Sequence, residues 1–586
     1  MKDFLKYVLA TMVGVFLIWI VISIMSLFMM LSITSASESK PAVTSNSILK
    51  ISLSGVISER TVENPLAFLK NDILQKQGLD DLLHAIEVAA DDDDIKGIYI
   101  EAGALDADFA SLQELRKALQ RFREDTDKFI YSYGDTYTEG AYYVCSVANG
   151  VFLNPLGMLD WHGIASQPVF YKDVLDKLGI KMQVFKVGTY KSAVEPFILT
   201  QMSDANREQV QSFVSDIWNT MCQEVSLSRK VSLDSLNAYA DRYTALATAE
   251  EYKKMKLVDG IMYVDGVRDF LRNKLGNQKV NFVAASQLAK LWEPGSRSNG
   301  AIVVYVAEGD IVDEVAEGLS VETQIVGQKV VEDIDRMVND DDVKAVVLRI
   351  NSGGGSAYAS EQMWHAIQLL KEKKPVVVSM GGLAASGGYY MSCGANYIIA
   401  EPTTLTGSIG IFGMVADMSG LLTEKIGLHF DVVKTNKASD FGAMGRGFNP
   451  EEGEAMQAYV NRGYQLFLSR VAAGRNMKTE TVDSIAQGRV WTGAQAKKIG
   501  LVDELGTLED AILKAAELAG VSSYAVLYSP APPSIFDSLI NNQKESYMER
   551  ELRMLMGVYY EPISFLREVE RGGYLQARML YSPNLK

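Results

Sequence analysis

The chain contains itself twice. DDDIKGIYIE (Asp92–Glu101) is matched by DDDVKAVVLRI (Asp340–Ile350). Tyr131–Gly157 matches Val378–Thr404 without a gap, sharing GxYY and AN, and Leu246–Ile261 matches Val490–Gly506. The copies stay about 248 residues apart throughout. Three ordered blocks at one spacing are a duplication, so the chain must build one unit twice. Within each copy, short β-branched runs (GIYI, FIYSY, GVFL; AVVLRI, PVVVSM, YIIA) alternate with amphipathic stretches such as SAYASEQMWHAIQLLKEKK. That alternation predicts an α/β unit with mostly parallel strand pairing. Strand signals open at SILKISLSGVIS (from Ser47) and at AIVVYVAEGDIVDE (from Ala301), with turn formers at Glu293–Gly300 between them. The predicted division is 1–46, 47–295 and 296–586, the last ending in a helical tail that includes Glu549–Tyr559.

Ahead of the first copy, Tyr7–Leu31 carries no charge. About 20 apolar residues cross a bilayer, so this stretch is predicted to span one. Lys2 and Lys6 precede it, which places the N-terminus in the cytoplasm and the bulk of the chain outside. A cleaved signal peptide is the alternative, with Ser35-Ala36-Ser37 as its cleavage site. The apolar core of a signal peptide runs roughly 7–15 residues, shorter than this stretch, which favours an anchor.

Composition narrows the partners. There are 57 Lys and Arg against 73 Asp and Glu, a net charge of −16 that repels phosphate backbones and argues against nucleic acid. Cys145, Cys222 and Cys393 form no CxxC or Cys–His spacing, so nothing calls for a disulfide framework, a metal or another cofactor.

The chemistry is concentrated in Leu348–Ile411. A strand runs into Asn351-Ser-Gly-Gly-Gly-Ser356 and then a helix. Three glycines at a strand end expose bare backbone N–H groups, suited to an oxyanion or phosphate, or simply to a tight turn. No Lys follows in the manner of GxxxxGK[ST], so this is not a nucleotide phosphate loop. A second strand, PVVVSM, leads into Gly381-Gly-Leu-Ala-Ala-Ser-Gly-Gly388 and another helix. Ser386 stands at its start, where the N–H of Gly387 and the helix dipole favour negative charge. A serine there is also an ordinary helix cap.

The other copy separates these readings. It has Glu139 where Ser386 would be, and Glu101-Ala-Gly-Ala-Leu-Asp106 in place of the glycines. Joint loss is what two parts of one site would show. A base is then required. His84, His162, His365 and His429 are the only histidines, and none sits in a supporting motif. His365 is predicted at a core or edge position of its helix and His429 in a strand-like run. In VFKVGTYKSAVEPF, Lys191 follows a strand among small and apolar residues, while the second copy has Ser439 at the matching place. One copy keeps the lysine and lacks the serine; the other does the reverse. Buried, such a lysine becomes a base because desolvation lowers its pKa; taken alone, Lys191 could equally be a solvated cation, and the complementary pattern is what lifts it.

At these residues the sequence resembles the signal peptide peptidase A family, in its long, duplicated bacterial form also called protease IV. The motifs are RINSGGGS (Arg349–Ser356), GGLAASGGYYMSCGAN (Gly381–Asn396), LTGSIGIFG (Leu405–Gly413) and, most specifically, GTYKSAVEPF (Gly188–Phe197). The glycine and AASGG motifs are shared more loosely with ClpP-type peptidases and the crotonase superfamily. The resemblance implies a tandem ClpP/crotonase-like α/β fold behind one transmembrane helix. It implies Ser386 as nucleophile, Lys191 as general base and Ser408 as the hydroxyl that orients the amine. Gly355 and Gly387 would supply the oxyanion hole. The family commonly has Pro where this chain has Gly353, so a looser turn is predicted, with the hole intact. The resemblance further implies a single-pass inner-membrane protease facing the periplasm that degrades signal peptide remnants, with membrane lipid and apolar peptides as partners, assembled as a homotetramer. Leu383 and Ile409–Phe412 are predicted to line the substrate pockets. Two other classes compete: a crotonase-like CoA-thioester enzyme, and a membrane-anchored assembly protein without catalysis.

Overall fold

Strands with both faces covered need apolar residues at nearly every position, and the β-branched runs supply them. The computed structural model describes residues 6–7, 11–22, 24, 43–61, 76–276, 278–295, 299–314, 324–531 and 575–579. The first copy contributes β1 (Ser47–Ser58), β2 (Lys76–Gly78), β3 (Ile95–Asp106), β4 (Phe129–Tyr137), β5 (Gly150–Leu159), β6 (Lys181–Lys186), β7 (Gly260–Ile261) and β8 (Asn281–Ala284). Among the described residues, all but β6 form one sheet in the order β2-β1-β3-β4-β5-β7, with β8 also on β1, and every pairing is parallel.

The second copy opens with β9 (Ala301–Glu308), β10 (Asp310–Val312), β11 (Gln324–Val326), β12 (Val343–Ser352), β13 (Gly354–Ser356) and β14 (Val376–Ala385). It continues with β15 (Tyr397–Ala400), β16 (Leu405–Gly407), β17 (Phe412–Asp417), β18 (Val490–Thr492), β19 (Glu504–Leu505) and β20 (Ala525–Ser529), and the tail adds β21 (Gln576–Arg578). The main sheet runs β18-β16-β14-β12-β9-β20, with β15 on β14 and β19 on β15. The repeat is legible in this topology: β20 closes the second sheet on β9 as β8 closes the first on β1.

The copies differ where the sequence lost its glycines. β3 runs unbroken for 12 residues. Its counterpart breaks after Ser352, and Gly354–Ser356 enter a third sheet of order β11-β10-β13-β21-β17-β6. This sheet draws on both copies. β6 of the first pairs antiparallel with β17 of the second from Phe412↔Lys186 to Asp417↔Lys181.

Helices cover the sheets and begin where their caps allow. Asp108 accepts the N–H of Ser111 to open Phe109–Asp125, and Asn449 with Glu452 forms a capping box for Pro450–Arg475. Each copy has its own core, around Ile51, Ile98 and Leu115 in the first and Val346, Val378 and Phe467 in the second.

Some expectations meet corrections, and others fall outside the described residues. Gln576–Arg578 of the tail is a strand, not a helix; Glu549–Tyr559 lies outside the described residues. The predicted span Tyr7–Leu31 also lies partly outside them, and among the described residues no helix is long and apolar enough to cross a membrane. The run around His429 forms no strand, and both His429 and His365 are exposed.

Candidate active site

The turn that presents Ser386 is held in an unfavourable backbone conformation. Ser386 has φ 55° and ψ −109°, a region that costs an ordinary residue about 1–3 kcal/mol and recurs at active sites. Two backbone hydrogen bonds over-determine it: its N–H donates to the Gly407 carbonyl, and its carbonyl accepts from Tyr390 N–H, both at 2.8 Å. The hydroxyl makes no helix-capping bond, so the ordinary reading of a cap serine does not hold. It is met by a lysine instead.

Lys191 Nζ lies 2.8 Å from Ser386 Oγ, 3.1 Å from Ser408 Oγ and 3.2 Å from the Ser408 carbonyl. Lys191 is 1% exposed and Ser386 0%. Burial alone pushes the lysine pKa down to about 7, because the site offers the ammonium no carboxylate to replace its water. The first copy thus supplies the amine and the second both hydroxyls. The loop bearing Lys191 is seated on the second copy through Tyr190 N–H to the Gln487 carbonyl at 2.8 Å. Gly488 makes that seat: its φ is +78°, and a methyl there would fall 2.6 Å from the Lys191 backbone nitrogen.

The glycine loop stands beside this pair. Gly354 has φ +96°, and a methyl on it would lie 2.6 Å from the Gly387 nitrogen. The turn predicted to be loose is pinned on both sides. Gly355 pairs with Ile311 of β10 and with Ala577 of β21, and Met579 N–H donates to the Gly353 carbonyl at 2.7 Å. The strand β21 is something sequence reasoning missed. It lies extended and antiparallel along the loop, with the Ala577 carbonyl so near that methyls on Gly354 and Gly387 would come within 2.0 and 3.1 Å of it.

The remaining predicted residues sort clearly. Leu383 is half-buried beside the loop, whereas Ile409, Ile411 and Phe412 are buried in the core. Ser439 sits on an exposed turn. Among the described residues no histidine hydrogen-bonds Ser386. His84 stacks on Trp292 at 3.9 Å, and burial pushes its pKa down to about 4. His162 stands beside Glu139, whose hydrogen bond and charge raise it to about 9. Glu139, at the place matched to Ser386, is fully buried and accepts the N–H groups of His162 and Gly163 at 3.0 Å each. The first copy's seat is filled and holds no nucleophile.

Comparison with known proteins places the chain in a family. The sequence profile of Peptidase family S49 matches residues 122–278 and 368–522, and that of Clp protease matches 316–404. The chain is 37% identical to Protease 4 of Salmonella typhi over 92% of its length and 89% of that protein's. It is 33% identical to Protease 4 of Haemophilus influenzae, covering 91% and 90% of the two chains. The chloroplastic serine protease SPPA of Arabidopsis thaliana is 31% identical over 82% of this chain and 70% of its own. The fold is a tandem of ClpP-like α/β domains, and the chain belongs to Peptidase family S49, the serine peptidases.

Proposed function

We propose that this peptidase works through a Ser386/Lys191 dyad assembled across domains 47–295 and 296–586. The observation that carries the reading is the 2.8 Å approach of Lys191 Nζ to Ser386 Oγ inside a buried site. Neutral Lys191 takes the Ser386 proton as Oγ attacks the scissile carbonyl carbon. The N–H groups of Gly355 and Gly387 receive the oxyanion. The Lys191 ammonium then protonates the leaving amine as the C–N bond breaks, and water hydrolyses the acyl-enzyme through the same base. Ser408 orients the amine. The antiparallel seating of Gln576–Arg578 on the glycine loop supports an extended peptide as ligand.

The substrate we propose is the apolar remnant of a cleaved signal peptide, met at a bacterial inner membrane. The uncharged Tyr7–Leu31 stretch supports the anchoring, with the catalytic part periplasmic. A homo-oligomer completes the proposal. β6 of the first copy finds β17 within the chain, whereas its second-copy counterpart, residues 428–434, joins no strand among the described residues and exposes Leu428, Phe430, Val432 and Val433. A second copy of the chain is the partner that would cover it, and a tetramer is the size we propose. The test is hydrolysis of a labelled apolar signal peptide by the full chain in lipid vesicles, with Ser386→Ala as control. Cleavage by the control equal to wild type refutes the reading.

A further inference from the structure

A buried charged cluster behind the glycine loop has no part in the chemistry above. Arg349 on β12 donates from Nε to Glu59 at 2.7 Å and from its two terminal nitrogens to Glu114 at 2.8 Å and Ser379 at 3.0 Å. Both carboxylates come from the first copy, and all three charged side chains are buried. The other Glu59 oxygen accepts from Asn351 Nδ2 at 3.0 Å, with Asp108 farther from that amide at 3.4 Å. Asn351 Oδ1 in turn accepts the backbone N–H of Leu383 at 3.1 Å. Asn351 begins the glycine loop, and Leu383 lies on β14 just before Ser386. One first-copy carboxylate therefore holds an amide that bridges the two second-copy segments bearing Gly355 and Gly387. Gly381 leaves room for the bridge: a methyl there would fall 2.3 Å from Glu59 Oε1.

We infer that Glu59 is a positioning residue for the oxyanion hole, acting through Asn351 to fix the spacing between the glycine loop and the Ser386 turn. This rests on the roles of Ser386, Gly355 and Gly387 proposed above. The ion pairs of Arg349 alone would serve to join the copies; the Glu114 pair runs on, through its other oxygen, to the backbone N–H of Leu508 at 2.8 Å, at the start of the helix Leu508–Ala519. The Glu59–Asn351–Leu383 chain ends on the backbone of the strand that delivers the nucleophile. Both Glu59 oxygens face donors, so an amide at this position must turn its own donor toward one of them. A misplacement of about 1 Å in such a site costs roughly 100-fold in rate.

The test uses the full chain, an apolar peptide substrate, and two probes. A peptide boronate forms a tetrahedral adduct with Ser386 and places an oxygen in the hole; the same peptide ending in an amide does neither. Glu59→Gln and Asn351→Asp should each lower kcat and boronate affinity by about 10- to 100-fold, with KM and amide-peptide affinity within about twofold. The combined Glu59→Gln/Asn351→Asp variant keeps the charge and restores the contact with donor and acceptor exchanged, so it should recover the larger part of both. Single variants that match wild type overturn the proposal, as does a loss shared equally by boronate and amide peptide. A combined variant no better than either single also overturns it. Should a single variant fail to fold, the combined one decides: near-wild-type boronate affinity supports the contact, and an unfolded or weakly binding protein refutes it. If wild type forms no adduct at Ser386, the catalytic reading fails and takes this proposal with it. That result is distinct from a wild-type adduct with unaffected variants.

Discussion

The amine of Lys191 and the hydroxyl of Ser386 are 195 positions apart in the chain and 2.8 Å apart in space. They come from different copies of the repeat, and the first-copy strand β6 that leads toward Lys191 is paired into a sheet with second-copy strands.

Truncating either member should therefore stop catalysis without loosening the fold. Ser386→Ala and Lys191→Ala are each expected to lower kcat at least about 1,000-fold, as removal of one member of a nucleophile–base unit does. Thermal unfolding should shift by only a few degrees. Activity near wild type in either variant would remove the dyad. Lys191→His should not rescue Lys191→Ala, since imidazole is shorter and needs an acceptor of its own.

The pH dependence follows from burial. The folded Lys191 pKa is about 7, below the 10.5 of a free lysine, and only the neutral amine can take the serine proton. The kcat/KM should therefore fall as pH drops through about 7, and replacement of any of the four histidines should leave that limb in place. Stability carries the opposite face of the same shift. Between about 7 and 10.5 the unfolded chain holds a proton at Lys191 that the folded chain lacks, so this residue's contribution rises with pH. Stability of Lys191→Ala relative to wild type should be greatest at and below pH 7 and decline toward 10.5. A pH-independent difference in unfolding free energy would contradict the buried neutral amine.

Ser408→Ala should cost less than Lys191→Ala. The amine loses its 3.1 Å contact with the Ser408 hydroxyl but keeps the carbonyl at 3.2 Å. A drop in kcat of roughly 10- to 100-fold is expected, with KM little changed. Steady-state kinetics on the apolar peptide decides, and a loss as deep as that of Lys191→Ala would make Ser408 a member of the dyad's chemistry.

The surface formed by residues 428–434 gives the fourth prediction. Val433 is 98% exposed. Val433→Asp combined with Phe430→Asp should lower the mass seen by light scattering in detergent and leave unfolding of the single chain unaffected. An unchanged mass would refute this surface as the contact between copies.

Much of this was legible in the residues, and what escaped has a physical reason. β-branched runs at one spacing foretell two mostly parallel α/β sheets because the signal is local and repeated. The partnership of Lys191 with Ser386 was readable because duplication let each copy serve as the other's control. The strand β21 escaped because three residues in a tail carry no periodicity. The Glu59–Arg349–Glu114 cluster escaped because its partners lie 290 and 235 positions apart, and a lone arginine in an apolar strand does not name its carboxylates. Ile409–Phe412 went to the core for a simpler reason: apolar residues next to a site serve a pocket and a core equally well until packing decides.

Glu139 settles a matter of stoichiometry. With its carboxylate lodged where a serine would stand and bonded to two backbone N–H groups, the first copy has no room for a second reacting centre. On the proposed dyad, every chain then carries two folds and one cutting point. A covalent inhibitor should saturate at one equivalent per chain. In the proposed tetramer that makes four cutting points among eight domains, so four equivalents of inhibitor would silence the whole assembly.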